Sequence, residues 1–145
     1  MKLKLLELKP DKKDPLFQND ECQQLLAIYE DFYPKIGFEL PWVVYLIFEK
    51  EEVLGTCSFV GKPKDGEVEI AYWTFEQNEG KGVASFACKE LISIAKKENK
   101  RLSIIAKTAP EKNASTQILE KNGFAYDRVV QDDEIGDAWL WKLSI

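Results

Sequence analysis

The stretch from Glu67 to Gly82 constrains this chain most. It reads as a strand, then Glu76-Gln77-Asn78-Glu79-Gly80-Lys81-Gly82, then a helix. Along the strand, Val68, Ile70 and Tyr72 share one face, and Glu69, Ala71 and Trp73 share the other. A strand that runs straight into a glycine turn and a helix aims the helix's first amides at one spot. The first four such amides have no intrahelical acceptor. The helix dipole favours negative charge there by about 0.3–1 kcal/mol per exposed charge, and Gly80 and Gly82 let an anion rest against the backbone. This is the layout of a phosphate cradle. It is not a Walker loop, because no hydroxyl residue follows Gly80-Lys81. It is not a dinucleotide fingerprint either: Ser85 stands at the third glycine, and Leu102 and Ser103 stand where an acidic residue is needed. Taken alone, two glycines before a surface helix serve equally well as an ordinary turn.

The rest of the chain supplies a frame for that corner. The opening residues, with Leu3 and Leu5 between charges, read as a strand. Lys9 to Asn19, with Pro10 and Pro15, reads as a loop. Asn19 or Asp20 caps a helix to about Tyr33, whose Cys22, Leu25, Leu26, Tyr29 and Phe32 recur at helical steps; Pro34 and Gly37 end it. Trp42 to Phe48 is an apolar run suited to a central strand. After the charged turn Glu49 to Glu52, Val53 to Val60 returns as a strand in which Gly55 marks a bulge or a close approach. The Asp65-Gly66 pair signals a hairpin turn into the strand Glu67 to Phe75. The second helix is expected from Gly80 to Glu98. A strand from Arg101 to Lys107, a short helix from Asn113 to Asn122-Gly123, and strands Phe124 to Val130 and Ala138 to Ile145 complete the order β-α-β-β-β-α-β-α-β-β. That order predicts an α/β chain with a mixed sheet and helices on its faces.

Composition removes whole classes of chemistry. The 145 residues include no histidine. There is therefore no Ser-His-Asp triad, Cys-His dyad or imidazole-bound zinc, and proton transfer falls to carboxylate, tyrosine, lysine, cysteine or water. Cys22, Cys57 and Cys88 are scattered and unpaired in sequence, which predicts a reducing, cytoplasmic setting. A net charge of −5 speaks against nucleic acid as a partner. The leading MKLKLLELKP has no h-region, and no apolar run is long enough to span a bilayer, so no membrane association is expected. Residues 1–145 read as a single domain, with no linker, repeat or low-complexity tract.

Several blocks now carry a resemblance. Gln77-x-x-Gly80-x-Gly82 resembles the Q/R-x-x-G-x-G/A acetyl-CoA motif of the GNAT N-acetyltransferase superfamily. Glu69-Ile70-Ala71-Tyr72-Trp73 is similar to the strand of its RimJ/RimL-like, ribosomal-protein acetyltransferase branch. Ala106-Lys107-Thr108, Asn113-Ala114-Ser115-Thr116 and Leu119-Glu120-Lys121-Asn122-Gly123-Phe124 resemble that branch's later blocks, and Trp139-Leu140-Trp141 its ending. The blocks stand in family order and cover about half the chain. The resemblance implies a GNAT fold, with a mostly antiparallel sheet of about seven strands that splays at the cofactor. It implies acetyl-CoA as co-substrate, with no metal. The backbone of Trp73, Thr74 and Phe75 would pair with the pantetheine arm. The amides of Gln77, Asn78, Glu79, Gly80, Lys81, Gly82, Val83 and Ala84 would hold the pyrophosphate, with Lys81 in reach of a phosphate. Asn113 would hold the pantetheine.

For the chemistry, Glu69 matches the family's base position. A lysine-like acceptor has a pKa of about 10.4 against about 4.3 for a free glutamate, so a carboxylate acts best through a water or with a burial-raised pKa. The other reading of Glu69 is a strand carboxylate paired to a lysine. Ser115 matches a position that serves the leaving sulfur; its other reading is a first-turn residue helping the Asn113 cap. The tyrosine that many members place four residues before the Gly-Phe pair is Leu119 here. Tyr72 and Tyr126 are its candidate substitutes. Trp73, Trp139 and Trp141 are candidates for the acceptor wall or for core packing, and Cys88 reads as an inert small hydrophobe. Pro10 to Pro41, the part that shapes the acceptor side, carries no family motif. The resulting expectation is an N-acetyltransferase acting on a primary amine: a protein N-terminus, a lysine or a small amine. The rival readings are a non-catalytic acyl-CoA-binding module and a structural interaction domain.

Overall fold

A computed structural model describes residues 1–7, 13, 18 and 20–143, the side chains of Asp20, Glu21, Phe32 and Ile36 excepted. The expected Lys9–Asn19 loop, the Asn19 cap, the Phe32 contact and the end of the last strand at Ile145 lie largely or wholly outside that range. The elements in chain order are β1 (Lys2–Leu5), α1 (Asp20–Ile36), β2 (Val44–Glu49), β3 (Glu52–Phe59), β4 (Glu67–Thr74), α2 (Val83–Glu98), β5 (Ser103–Thr108), α3 (Ala114–Lys121), β6 (Ala125–Asp132) and β7 (Gly136–Leu143). The seven strands among the described residues form one sheet in the order β1-β2-β3-β4-β5-β7-β6. Every pairing is antiparallel except that of β4 with β5. The predicted order of elements, the mixed sheet and the helices on both faces are all present.

Alternation along the strands divides the core in two. Cys22, Leu25, Leu26 and Tyr33 of α1 pack with Val44, Leu46, Val53 and Phe75 on one face. Ala87, Cys88, Leu91 and Ala95 of α2 pack with Cys57, Phe59, Val68, Ile70, Ile104 and Trp141 on the other, where Leu119 of α3 joins them. The hydroxyl of Tyr33 ties α1 to the sheet, donating to the Leu6 carbonyl and accepting from the Val44 amide. Burial pushes that hydroxyl up to about 12.

Several expectations shift in detail. Pro34 does not end α1, which runs through it to Ile36. A proline in the last turn forfeits only one hydrogen bond, and the stop comes at Gly37, whose φ is 82° and whose amide reaches the Tyr33 carbonyl at 2.7 Å. The β2–β3 turn is made by Lys50 and Glu51, both at positive φ. Gly55 is both a close approach and the neighbour of a bulge: the register slips so that Leu54 has no partner on β2. A Cβ on Gly55 would stand 2.3 Å from the Trp73 carbonyl oxygen. The second helix starts at Val83, not Gly80, because Glu76–Asn78 forms a separate 3-10 turn.

The sheet opens between β4 and β5. The two pair only from Glu67↔Ser103 to Ile70↔Ala106. Beyond that point β4 stays with β3 as far as Gly55↔Thr74, and β5 stays with β7 as far as Thr108↔Trp139. Each strand follows its outer neighbour, and the sheet's twist draws the two apart.

Candidate functional site

Two clefts meet in that opening. The larger, about 580 Å³, lies between the end of β4, the turn before α2, and the start of α3. The smaller, about 300 Å³, lies between β4 and β5. Tyr72, Asn113 and Ser115 line both, so they mark the junction.

At one end of the larger cleft is the start of α2. Gly80 and Gly82 both sit at φ 81°, and a Cβ added to either would meet nothing within 4 Å. The left-handed backbone demands glycine there, and the surroundings leave the backbone open to approach. No side chain caps α2, and its first turn holds no acidic residue. The Phe86 amide makes the helix's first bond, to the Gly82 carbonyl. The amides of Val83, Ala84 and Ser85 therefore precede the ladder and have no intrahelical acceptor. Such a corner suits a diphosphate.

The structure redraws the expected amide set. The Asn78 and Glu79 amides are spent on the Phe75 and Glu76 carbonyls, so the available set starts at Gly80 and extends one residue further than expected, to Ser85. Gln77 does not line either cleft. The Asn78 side chain is 2% exposed and donates to the Leu54 carbonyl at 3.3 Å, so it anchors the turn. Lys81 Nζ lies 3.3 Å from Asn78 Oδ1.

The strand edge is also redrawn. The Phe75 amide donates to the Leu54 carbonyl, and its own carbonyl takes the Asn78 amide. With its ring fully buried in the α1-side core, Phe75 has nothing left to offer a ligand, which corrects that expectation. The Glu69 carbonyl likewise faces β3, bonded by the Val60 amide. Strand alternation then turns the backbone of Ala71 and Trp73 towards β3 and that of Tyr72 and Thr74 towards the gap. Thr74 thus lies on the gap side, Trp73 lines the larger cleft with its backbone turned to β3, and Tyr72, not among the expected backbone contacts, also faces the gap. Only the pairing register reveals that parity.

At the junction, Asn113 caps α3. Its Oδ1 accepts from the Thr116 amide at 3.2 Å, and its amide donates to Thr116 Oγ1 at 2.9 Å. Thr116, not Ser115, completes this capping box, so Ser115 is left facing the clefts. Tyr72 packs on the α2 side, and burial raises its hydroxyl well above the ordinary tyrosine value. Tyr126 stacks edge-on to Trp139 and Trp141, and none of the three lines either cleft. Trp141 is a core residue whose Nε1 donates to Thr108 Oγ1 at 2.9 Å. Burial pushes the Cys88 thiol up to about 11, as an inert packing group requires. Cys22, Cys57 and Cys88 are all buried and unbridged.

Glu69 lies on the opposite, α1-side face, one residue before the strands part. It lines neither cleft. Lys107 Nζ stands 3.4 Å from its Oε1 and 4.0 Å from Asp132 Oδ2. Burial raises the Glu69 carboxyl above its ordinary value, against the pull of Lys107 and with some help from Asp132. Among the described residues there is no group of three or more side chains that could hold a metal. Nor is any helix among them long and apolar enough to cross a membrane.

The family profile described as "Acetyltransferase (GNAT) domain" matches residues 10–125. The chain belongs to the GNAT acetyltransferase family. This GNAT chain is 28% identical over 98 residues to the ribosomal-protein-serine acetyltransferase of Escherichia coli, covering 66% of this chain and 55% of that protein. It is 32% identical over 90 residues to the uncharacterized N-acetyltransferase p20 of Bacillus licheniformis, covering 61% and 51%. It thus spans about half the length of these curated relatives. Among solved structures, a putative acetyltransferase from Salmonella typhimurium with its cofactor acetyl-CoA shares the fold. Its TM-score is 0.67 at 19% identity, covering 99% of this chain and 93% of that one.

Proposed function

We propose that this GNAT domain transfers an acetyl group from acetyl-CoA to a primary amine, on a protein N-terminus, a lysine or a small molecule. The observation that carries the reading is the continuity of the two clefts. Unpaired amides of α2 line one end, the free edge of Tyr72 and Thr74 runs alongside, and Ser115 and Tyr72 stand where the clefts join.

Bound acetyl-CoA would supply the activated acetyl thioester. The amides from Gly80 to Ser85 would hold its diphosphate, helped by the α2 dipole. Thr74 and Tyr72 would take the pantetheine arm as an added strand, with Asn113 beside it. Glu69 would draw the proton from the acceptor ammonium through a water, since it lies on the far face of the sheet. Its raised carboxyl narrows the gap to the amine, and general-base help of this kind contributes about 10²–10⁴ in rate. Ser115 or the Tyr72 hydroxyl would hydrogen-bond the leaving sulfur, and a proton released by the attacking amine would reach the thiolate through water. The kinship with a ribosomal-protein-serine acetyltransferase makes a peptide N-terminus the first acceptor to try.

The test has two arms. Acetyl-CoA at a hundred times its dissociation constant adds about 2.7 kcal/mol of stability, which raises the melting midpoint by roughly 5–10 °C for a domain of this size. No shift at millimolar ligand rejects the proposal. Thiol release against a panel of peptide, lysine and small amines then separates an enzyme from a non-catalytic binder.

A further inference from the structure

We propose that Lys107 is a positioning residue for Glu69: bracketed by Glu69 and Asp132, it keeps the candidate base ionised and aimed at the gap between β4 and β5. The inference rests on the functional reading above and deepens it, because neither sequence motif nor family match assigns Lys107 a role.

The geometry follows from the parallel pairing. Glu69 stands opposite Ile105, so Lys107, two residues on, shares its face of the sheet just where the strands separate. Lys107 also lines the smaller cleft. Its Nζ sits 3.4 Å from one carboxylate and 4.0 Å from the other. A half-exposed lysine with a single acidic neighbour could swing away into water. Asp132 holds it from the far side, and is itself held by the Glu134 and Ile135 amides at 2.9 and 3.2 Å. The next charges on this face, Glu67 and Lys142, neutralise each other at 2.9 Å. On β3, Ser58 stands opposite Ala71 and brings no charge. Glu69 is therefore governed by three opposing influences: burial and Asp132 favour its proton, and Lys107 disfavours it. A base must be ionised when the acceptor arrives, and Lys107 is the group that works against burial and Asp132 to favour this.

The signs make the idea testable. An opposite charge at such a distance lowers a carboxyl pKa by about 1–3 units, and partial exposure of this pair places the effect near the low end. Replacing Lys107 by Met should move the acidic limb of kcat/KM upwards by about one pH unit. Asp132→Asn keeps an oxygen for the turn amides but both frees Lys107 and drops a charge that favours the Glu69 proton, so its two effects oppose and the limb should move less than in Lys107→Met. Lys107→Arg should restore the wild-type limb. A packing role alone produces neither the shift in Lys107→Met nor its rescue by arginine. The same titration is to be read directly by carbon NMR of glutamate-labelled protein with coenzyme A bound, with the Glu69 signal assigned by its loss in Glu69→Gln. That readout needs no turnover. An unmoved Glu69 titration in Lys107→Met overturns the inference. If instead Glu69 titrates as described but Glu69→Gln leaves turnover intact, the base assignment fails and the role of Lys107 in catalysis falls with it.

Discussion

Asn78 Nδ2 lies 3.3 Å from the carbonyl oxygen of Leu54, the residue that the β3 bulge leaves without a partner on β2. The same oxygen takes the Phe75 amide at 3.0 Å. One irregular carbonyl therefore fixes both the end of β4 and the turn that delivers the α2 amides. Lys81, bonded to Asn78 Oδ1, is carried by the same anchor. Replacing Asn78 by Ala leaves a buried carbonyl one donor short and should cost about 1–2 kcal/mol of stability. It should also weaken acetyl-CoA binding about tenfold, because the amides lose their fixed aim. Melting curves and calorimetric titration check both. Unchanged affinity would show that the turn holds its shape without Asn78.

Glu69→Gln should lower kcat/KM by about 10²–10⁴ while leaving acetyl-CoA affinity within twofold, since Glu69 lines neither cleft. The wild-type pH profile carries a sign. Burial raises the folded-state carboxyl above the usual value, so the base protonates earlier as pH falls, and activity should drop through a limb above the ordinary glutamate value of about 4.3. A limb at or below that value would contradict the assignment.

Thr116 and Ser115 are neighbours with separable duties. Thr116→Ala removes half of the α3 capping box and should cost about 1 kcal/mol of stability. Ser115→Ala should leave the melting midpoint unchanged and lower kcat about tenfold, with a further loss in the Ser115→Ala, Tyr72→Phe double variant. Melts and steady-state kinetics on the same four proteins settle the division.

The β2–β3 turn places Glu51 at φ 67°, a backbone region that costs a residue with a Cβ about 1–2 kcal/mol. Glu51→Gly should raise the melting midpoint by roughly 3 °C for a chain of this length without touching turnover, because neither Lys50 nor Glu51 lines either cleft. A lower midpoint would mean that chain entropy outweighs the relieved strain.

The strand, glycine turn and helix of the cradle were legible because they are local: φ-demanding glycines, alternation and helical periodicity act within a few residues. The same is true of the Asn113 cap and the Asp65-Gly66 hairpin, where Asp65 and Gly66 indeed take positive φ. The amide inventory was less legible. Gln77 to Glu79 look as available as Gly80 until the 3-10 turn spends the Asn78 and Glu79 amides, and Phe75 looks like a strand-edge contact until its backbone closes on Leu54 and Asn78.

What the sequence by itself determined was the order of elements, the two apolar faces and the place where backbone amides go unpaired, because each depends on neighbours in the chain. Only the tertiary structure decided which strand edge stays open, that Ser115 is released from capping, and that Lys107 and Asp132 converge on Glu69. Those facts depend on register between segments far apart in sequence, and a side chain's partner across a sheet is set by twist and pairing rather than by anything within its own strand.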